Sequence, residues 1–455
     1  MQSSLNKPGR GLLLGNVAVL IAALTGAFVY HIKDFSILSE NDMTIAGDSA
    51  WYATYADSCH FSTWHSILLL NEIKYISNLL GLKALQSLWV LSCIIQALIV
   101  ACSVRITILL YKKDRKFLWI GSIYAFFVAT CSFYYEFSMY MEHYMFGFLL
   151  LAILATLEFC RCRTLGKCFW LAVILISLFH VVGYRRNAAV ILPLFSLYLI
   201  PGKWLYRKLV LRGMVALSCA AAFYFICEYI SSHVLTVNHH AYPATPMVVS
   251  DLKISALLRG EQQAFHNTLK QRCNLVCQKG EECVGEAYVE NAPIMSKESW
   301  DSLLNIYIEE WRNHPVEMFA ARSIQAFQLY VTRRIPNLLT DCYTRNFPAL
   351  KDNEKAWQSA HFWWGYIALT KELITFLIVL GTVASLCILC AIRKYREQKE
   401  LIWISGIAVV YICSFLVVIP GPYPAFRYMY PVAFISFWVF ACLIAKSFTN
   451  KHAFN

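Results

Sequence analysis

Apolar and polar residues alternate along this chain on the scale of whole membrane crossings. A helix needs about 20 predominantly apolar residues to cross roughly 30 Å of hydrocarbon. Runs of that kind are read at roughly 12–31, 86–110, 117–135, 142–160, 168–183, 187–202, 213–231, 369–392, 401–419 and 429–446. The pattern predicts an all-α polytopic membrane protein with about ten transmembrane helices, since helices and closed barrels alone satisfy their backbone groups inside lipid. The fifth and sixth runs are short and nearly continuous, and they meet at Gly183-Tyr184-Arg185-Arg186-Asn187. Adjacent arginines are tolerated at an interface or in a polar cavity, not in hydrocarbon. A tight turn at the outer surface is therefore expected there.

Two long polar segments interrupt the spans. The first, 32–85, carries Asp42, Asp48, Asp57, His60 and His65 and ends in a stretch from Ser66 to Leu82. In that stretch Ile67, Leu70, Ile73, Ile76 and Leu80 recur at helical spacing, which reads as an amphipathic helix lying on the membrane. The second, 232–368, is polar enough to form a small, mostly helical domain. The chain thus divides into an N-terminal module of about seven helices (1–231), an extracytoplasmic domain (232–368) and a C-terminal module of about three helices (369–455). No repeat of solenoid period and no low-complexity tract is visible.

Composition agrees with the pattern. Hydrophobic residues make up 58% and charged residues 15% of the 455 positions, against roughly 25% charged in an ordinary soluble domain. A net charge of +12 would suggest nucleic acid on a soluble protein, but here the basic residues cluster between spans. With the N-terminus inside, the short basic clusters all fall on the cytoplasmic side: Lys7 and Arg10; Lys112, Lys113, Arg115 and Lys116; Arg161, Arg163 and Lys167; Lys203, Arg207, Lys208 and Arg212; Arg393, Lys394, Arg396 and Lys399; Lys446 and Lys451. This obeys the positive-inside rule and puts both termini in the cytoplasm. The first run is kept as a helix because no small-residue cleavage site follows Tyr30-His31.

Most of the 17 cysteines lie inside apolar runs, where a thiol is a packing residue. Cys59, Cys273, Cys277, Cys283 and Cys342 fall outside them. The spacing from Cys273 to Cys283 lacks a His or fourth Cys at metal-ligand distance, which favours one or two disulfides among Cys273, Cys277, Cys283 and Cys342 over zinc.

Ionisable residues gather at the ends of spans that this topology places outside. Asp48 stands in Gly47-Asp48-Ser49, shortly after the first span. An Asp after Gly also serves as a turn or helix N-cap residue. His60 and Trp64-His65-Ser66 follow in the same segment, Glu142 and His143 begin the fourth span, and Arg185, Arg186 and Asn187 form the turn between the fifth and sixth. The last outer turn, Pro420-Gly421-Pro422-Tyr423-Pro424-Ala425-Phe426-Arg427-Tyr428, presents one Arg from a stiff loop. A planar guanidinium fork suits phosphate oxygens. In the large segment, Trp311-Arg312-Asn313-His314-Pro315 and Arg322 lie on an amphipathic stretch that serves equally for packing.

Taken together, the acidic residue after the first helix, the amphipathic first outer loop, Glu142, the Arg185-Arg186-Asn187 turn, the W-x2-HP-x6-R stretch and the closing G-P-x4-R-Y-x2-P turn resemble the GT-C superfamily of membrane glycosyltransferases. In layout the chain looks most like the bacterial enzymes that decorate surface polysaccharide or lipid, including prophage-encoded O-antigen glucosyltransferases. The resemblance implies a bacterial inner-membrane enzyme with a periplasmic active site and a polyprenyl-phosphate-linked sugar as donor. It also implies a glycan or lipid acceptor, membrane lipids and no nucleic acid as partners. Asp48 would be the catalytic base. His65, Glu142, Arg185, Arg186, Asn187, His314, Arg322, Arg427 and Tyr428 would bind substrate. No metal ligand is assigned, although the superfamily leaves a divalent cation open. Two other classes fit the layout: a polymerase or ligase of surface polysaccharide, and a transporter or lipid flippase, which usually shows repeated halves with broken helices.

Overall fold

The computed structural model describes residues 66–110, 141–162, 164–200, 209–233, 245–273, 297–330, 379–392, 398–417 and 430–449. Every element among them is helical. The first group comprises α1 (Ile67–Leu80), α2 (Ala84–Leu110), α3 (Met141–Phe159), α4 (Thr164–Tyr184), a 3-10 segment (Arg186–Ile191) running into α5 (Leu192–Leu199), and α6 (Leu209–His233). Next come α7 (Thr245–Arg259), α8 (Gln262–Cys273), α9 (Lys297–Asn313) and α10 (Pro315–Tyr330). The chain closes with α11 (Val379–Ala391), α12 (Lys399–Val417) and α13 (Tyr430–Thr449).

Four helices are long and apolar enough to cross a membrane: Gln86–Leu110, Glu142–Phe159, Gly166–Tyr184 and Val210–Ser231. They coincide with runs read from the sequence, and the runs at 401–419 and 429–446 fall on α12 and α13. The runs at 12–31 and 117–135 lie outside the described residues.

α2 and α3 run parallel. Near their starts the hydroxyls of Ser92 and Tyr144 are 2.5 Å apart. Near their ends Arg105 donates from Nε and Nη2 to Glu158 at 2.9 and 2.6 Å. The chain therefore leaves α2 at one end of the bundle and enters α3 at the other. Lipid is as apolar as leucine, so side-chain burial alone does little to hold such helices together; close backbone approach and hydrogen bonds do more. Gly147 of α3 supplies the approach, since a Cβ there would meet Ile95 Cγ2 at 2.8 Å. α3 is central, with Tyr144, Met145, Ala152 and Ala155 fully buried. Peripheral α6 instead leaves Val210 77% and Phe225 69% exposed, surfaces suited to lipid and costly in water.

The run at 187–202 becomes two short pieces. Six residues of 3-10 helix and eight of α5 advance the chain about 24 Å. α6 runs back alongside and matches that reach. Arg212 near its start donates to the carbonyls of Leu197 and Ile200 at 2.6 and 3.2 Å. Glu228 near its end lies 3.2 Å from Arg186.

α1 forms where the Ser66–Leu82 stretch predicts a helix, but its apolar face is taken up by protein. Leu68, Leu69, Leu70 and Ile73 join the core of the bundle against α2 and α4, leaving Tyr75, Leu79 and Leu80 exposed. Ser66 caps the helix by accepting from the Leu69 N–H and donates to the Gly183 carbonyl at 2.7 Å. Gly81, at φ 65°, ends it in the left-handed conformation that glycine adopts without strain.

α7 to α10 have a core of their own, built from Val248, Val249, Leu252, Leu269, Leu303 and Met318 among others. Its polar centre is Asp251. That carboxylate accepts from Tyr307 at 2.9 Å and Gln325 at 2.6 Å and lies 3.3 Å from Arg322. α10 also touches α12 of the bundle.

Candidate functional site

The end of the bundle at which α3 begins and α4 finishes holds a cluster of ionisable side chains. Glu142 is the second residue of α3, where the positive end of the helix dipole favours a carboxylate. Arg185 follows α4 in an extended conformation that turns the chain into the 3-10 segment. The two form an ion pair through Arg185 Nη2 and Glu142 Oε1. Glu142 is buried, and the Arg185 side chain is 12% exposed.

The next two residues diverge from that pair. Arg186 is half exposed and pairs through Nε with Glu228 of α6. Asn187 donates to Ser414 Oγ of α12 at 3.3 Å. One short turn thereby ties α3, α4, α6 and α12 together. Glu142 and Arg185 are directly joined, while Arg186 and Asn187 are brought to the same end by the chain itself.

Glu72 and His180 belong to this end too, although the sequence reading passed over both. Glu72 of α1 accepts from the Tyr184 hydroxyl and lies 3.0 Å from His180 Nε2. His180 stacks on Phe148, with ring centroids 4.1 Å apart. The available signal was an ionisable His within an apolar run, a default pointer to function or pairing inside a membrane.

Beneath the charged turn the chemistry changes abruptly. One turn along α3 from Glu142, Phe146 stacks on Phe434 of α13. Phe146, Leu150 and Ile153 continue the same helix face. With Ile404, Phe434 and Trp438 they line a narrow apolar crevice between α2, α3, α12 and α13. Among the lining residues only Ser103 and the Trp438 indole carry polar side-chain atoms, and that indole donates to Thr107 at 3.1 Å.

His314 and Arg322 lie elsewhere, in the α7–α10 unit. His314 is half buried at the junction where α9 stops and Pro315 starts α10, the position where a proline's missing N–H is harmless. Trp311 packs against that unit's core. Arg322 is buried beside Asp251. Burial pushes the Asp251 carboxyl up to about 6, with Arg322 and Tyr307 opposing. The W-x2-HP-x6-R residues are thus placed as helix punctuation and core.

Cys273 is buried at the end of α8 and forms no disulfide with a described residue. Cys277, Cys283 and Cys342 lie outside the described residues, as do Asp48, His65, Arg427 and Tyr428. Among the described residues no three His, Cys, Asp or Glu gather as a metal site. Comparison with known proteins returned no matching family model, no similar curated protein and no similar solved structure.

Proposed function

We propose that the protein is an inverting glycosyltransferase of the bacterial inner membrane. It moves a sugar from a polyprenyl-phosphate carrier to a cell-surface glycan or lipid acceptor at the outer face. The observation that carries this reading is the charged turn of Glu142, Arg185 and Arg186, seated one helical turn from an apolar crevice. A carrier with an anionic head and a hydrocarbon tail has the same division of chemistry. In this reading ten spans leave both termini in the cytoplasm, and residues 232–368 lie in the periplasm.

The acceptor hydroxyl attacks the anomeric carbon while the bond from that carbon to the phosphate oxygen breaks. Asp48 takes the hydroxyl proton as general base. The electron pair of the broken bond leaves with polyprenyl phosphate, whose growing charge calls for fixed cations. Arg186 suits that role better than Arg185. Both are paired, but the Arg186–Glu228 pair is partly open to solvent, with the Arg186 side chain half exposed, whereas the Arg185–Glu142 pair is buried. Arg427 is the second cation in this scheme, and the remaining substrate contacts fall to His65, Asn187 and Tyr428. No step passes through a metal ion.

The test is transfer of radiolabelled hexose from synthetic polyprenyl-phosphate-hexose to a surface-glycan or lipid acceptor by the full-length chain in lipid nanodiscs. Label should reach the acceptor with inversion at the anomeric carbon. Translocation of lipid-linked sugar across sealed vesicles with no transfer would replace this reading by a flippase.

A further inference from the structure

The Glu142–Arg185 pair leaves one buried carboxylate oxygen outside the ion pair. Arginine and a carboxylate usually meet fork to fork, so that both carboxylate oxygens are used. Here the bond goes to Oε1 alone, and Glu142 Oε2, buried with the rest of a side chain that is 2% exposed, meets no hydrogen-bond donor among the described residues. An unmet acceptor on a buried charged group is costly, and such a group is the place to look for a ligand.

The chemistry of the missing donor can be narrowed. Arg185 already balances the carboxylate charge, so a second cation would leave excess positive charge in a buried site. Phosphate has no use for a carboxylate oxygen. A neutral O–H donor fits. Position narrows it further, because Glu142 stands on the crevice-lining face of α3, one turn before Phe146. A molecule whose tail enters the crevice would bring its first polar groups to this height.

We propose that Glu142 Oε2 accepts a hydrogen bond from a hydroxyl of a bound sugar, and that Arg185 is a positioning residue which holds the carboxylate for it. This inference rests on the glycosyltransferase reading and divides the two residues of one ion pair into a ligand contact and its support. The sugar is either that of the donor or that of the acceptor.

Binding of polyprenyl-phosphate-hexose and of sugar-free polyprenyl phosphate is measured on the full-length chain in nanodiscs, together with transfer kinetics. The variants are Glu142→Gln and the charge-balanced double variant Glu142→Gln with Arg185→Gln. The wild type should prefer the hexose-bearing carrier. Both variants should lose that preference by about tenfold or more, the scale of a hydrogen bond to a charged group, while still binding the bare carrier. Unchanged carrier preference with a raised KM for acceptor at unaltered kcat assigns the same oxygen to the acceptor sugar instead. A double variant that regains wild-type binding and transfer overturns the proposal, because Glu142 would then only neutralise Arg185. Failure of the wild type itself to bind or transfer the hexose carrier removes the glycosyltransferase reading and this inference with it. Normal wild-type turnover with unaffected variants removes the inference alone.

Discussion

Arg322 lies 3.3 Å from Oδ2 of Asp251, a carboxylate with no exposed side-chain surface. The pair joins α7 to α10 in the centre of a helical unit, with Tyr307 and Gln325 completing the carboxylate's hydrogen bonds. Breaking a buried pair from one side strands the other charge, at a cost of about 3–5 kcal/mol. Arg322→Met should therefore melt the α7–α10 unit early, followed by limited proteolysis of the full chain against temperature. Arg322→Met combined with Asp251→Asn should recover much of the loss. A variant that melts normally and yet fails to bind donor would place Arg322 at the substrate.

The same carboxyl gives the unit a pH dependence. Asp251 is raised from 3.8 to about 6 in the folded protein, so the folded state holds this proton more tightly than the unfolded chain. Its contribution to stability is complete below about pH 4 and is lost as pH rises through about 6, the reverse of a salt-bridged Asp with a depressed value. The span of roughly two pH units corresponds to about 3 kcal/mol. Relative to Asp251→Asn, the wild-type unit should lose stability between pH 4 and pH 6 and run parallel above that. A difference that grows with pH in the opposite sense would show that Arg322 outweighs burial.

Gly183 brings α1 against α4, and a Cβ there would sit 2.6 Å from Leu68 Cδ2. Gly183→Ala should loosen α1 by about 1–3 kcal/mol, the usual range for overpacking, and put at risk the Ser66 bond to the Gly183 carbonyl. Leu68→Ala alone leaves a cavity, but together the two changes should cost less than their sum. Thermal midpoints of the four proteins in detergent give the coupling. Additive losses would mean that this contact does not hold α1.

Sequence pattern reached the helices of the bundle because apolar length is a local property that lipid enforces residue by residue. It also found the Arg185-Arg186-Asn187 turn, since adjacent arginines between two short apolar runs have few places to go. Partner choice was not legible. Arg322 and Asp251 are 71 positions apart, and nothing local distinguishes an arginine that meets phosphate from one that meets a buried carboxylate. α1 shows the same limit. Periodicity announces an apolar face, but Leu69 and Ile73 look the same in sequence whether they rest on lipid or on α2 and α4. Glu72 and His180 escaped because each lies on its own helix, and only docking makes them a pair.

Arg427→Lys separates a phosphate fork from a point charge. Lysine keeps the charge but loses the planar pair of donors, so transfer should fall by about 1–3 kcal/mol in transition-state stabilisation, the range for hydrogen bonds to charged groups. The comparison is kcat/KM at matched expression. Wild-type activity would return Arg427 to a helix-turn role.

The reading as an enzyme depends most on Asp48. Asp48→Asn keeps the size and most of the capping ability of the side chain, so a structural Asp should tolerate it with a loss of about 1 kcal/mol or less. A general base cannot, because an amide takes up no proton near neutrality. Loss of general-base catalysis lowers rate by about 10²- to 10⁴-fold, well beyond a capping defect. The variant should insert, fold and bind donor lipid while transferring almost no sugar. Asp42→Asn and Asp57→Asn, in the same 32–85 segment, control for the change in loop charge and should retain activity. If Asp48→Asn turns over normally while one control is dead, the base is that other aspartate. If all three variants transfer sugar at the wild-type rate, proton removal by this segment is not part of the reaction, and the mechanism proposed here has to be given up.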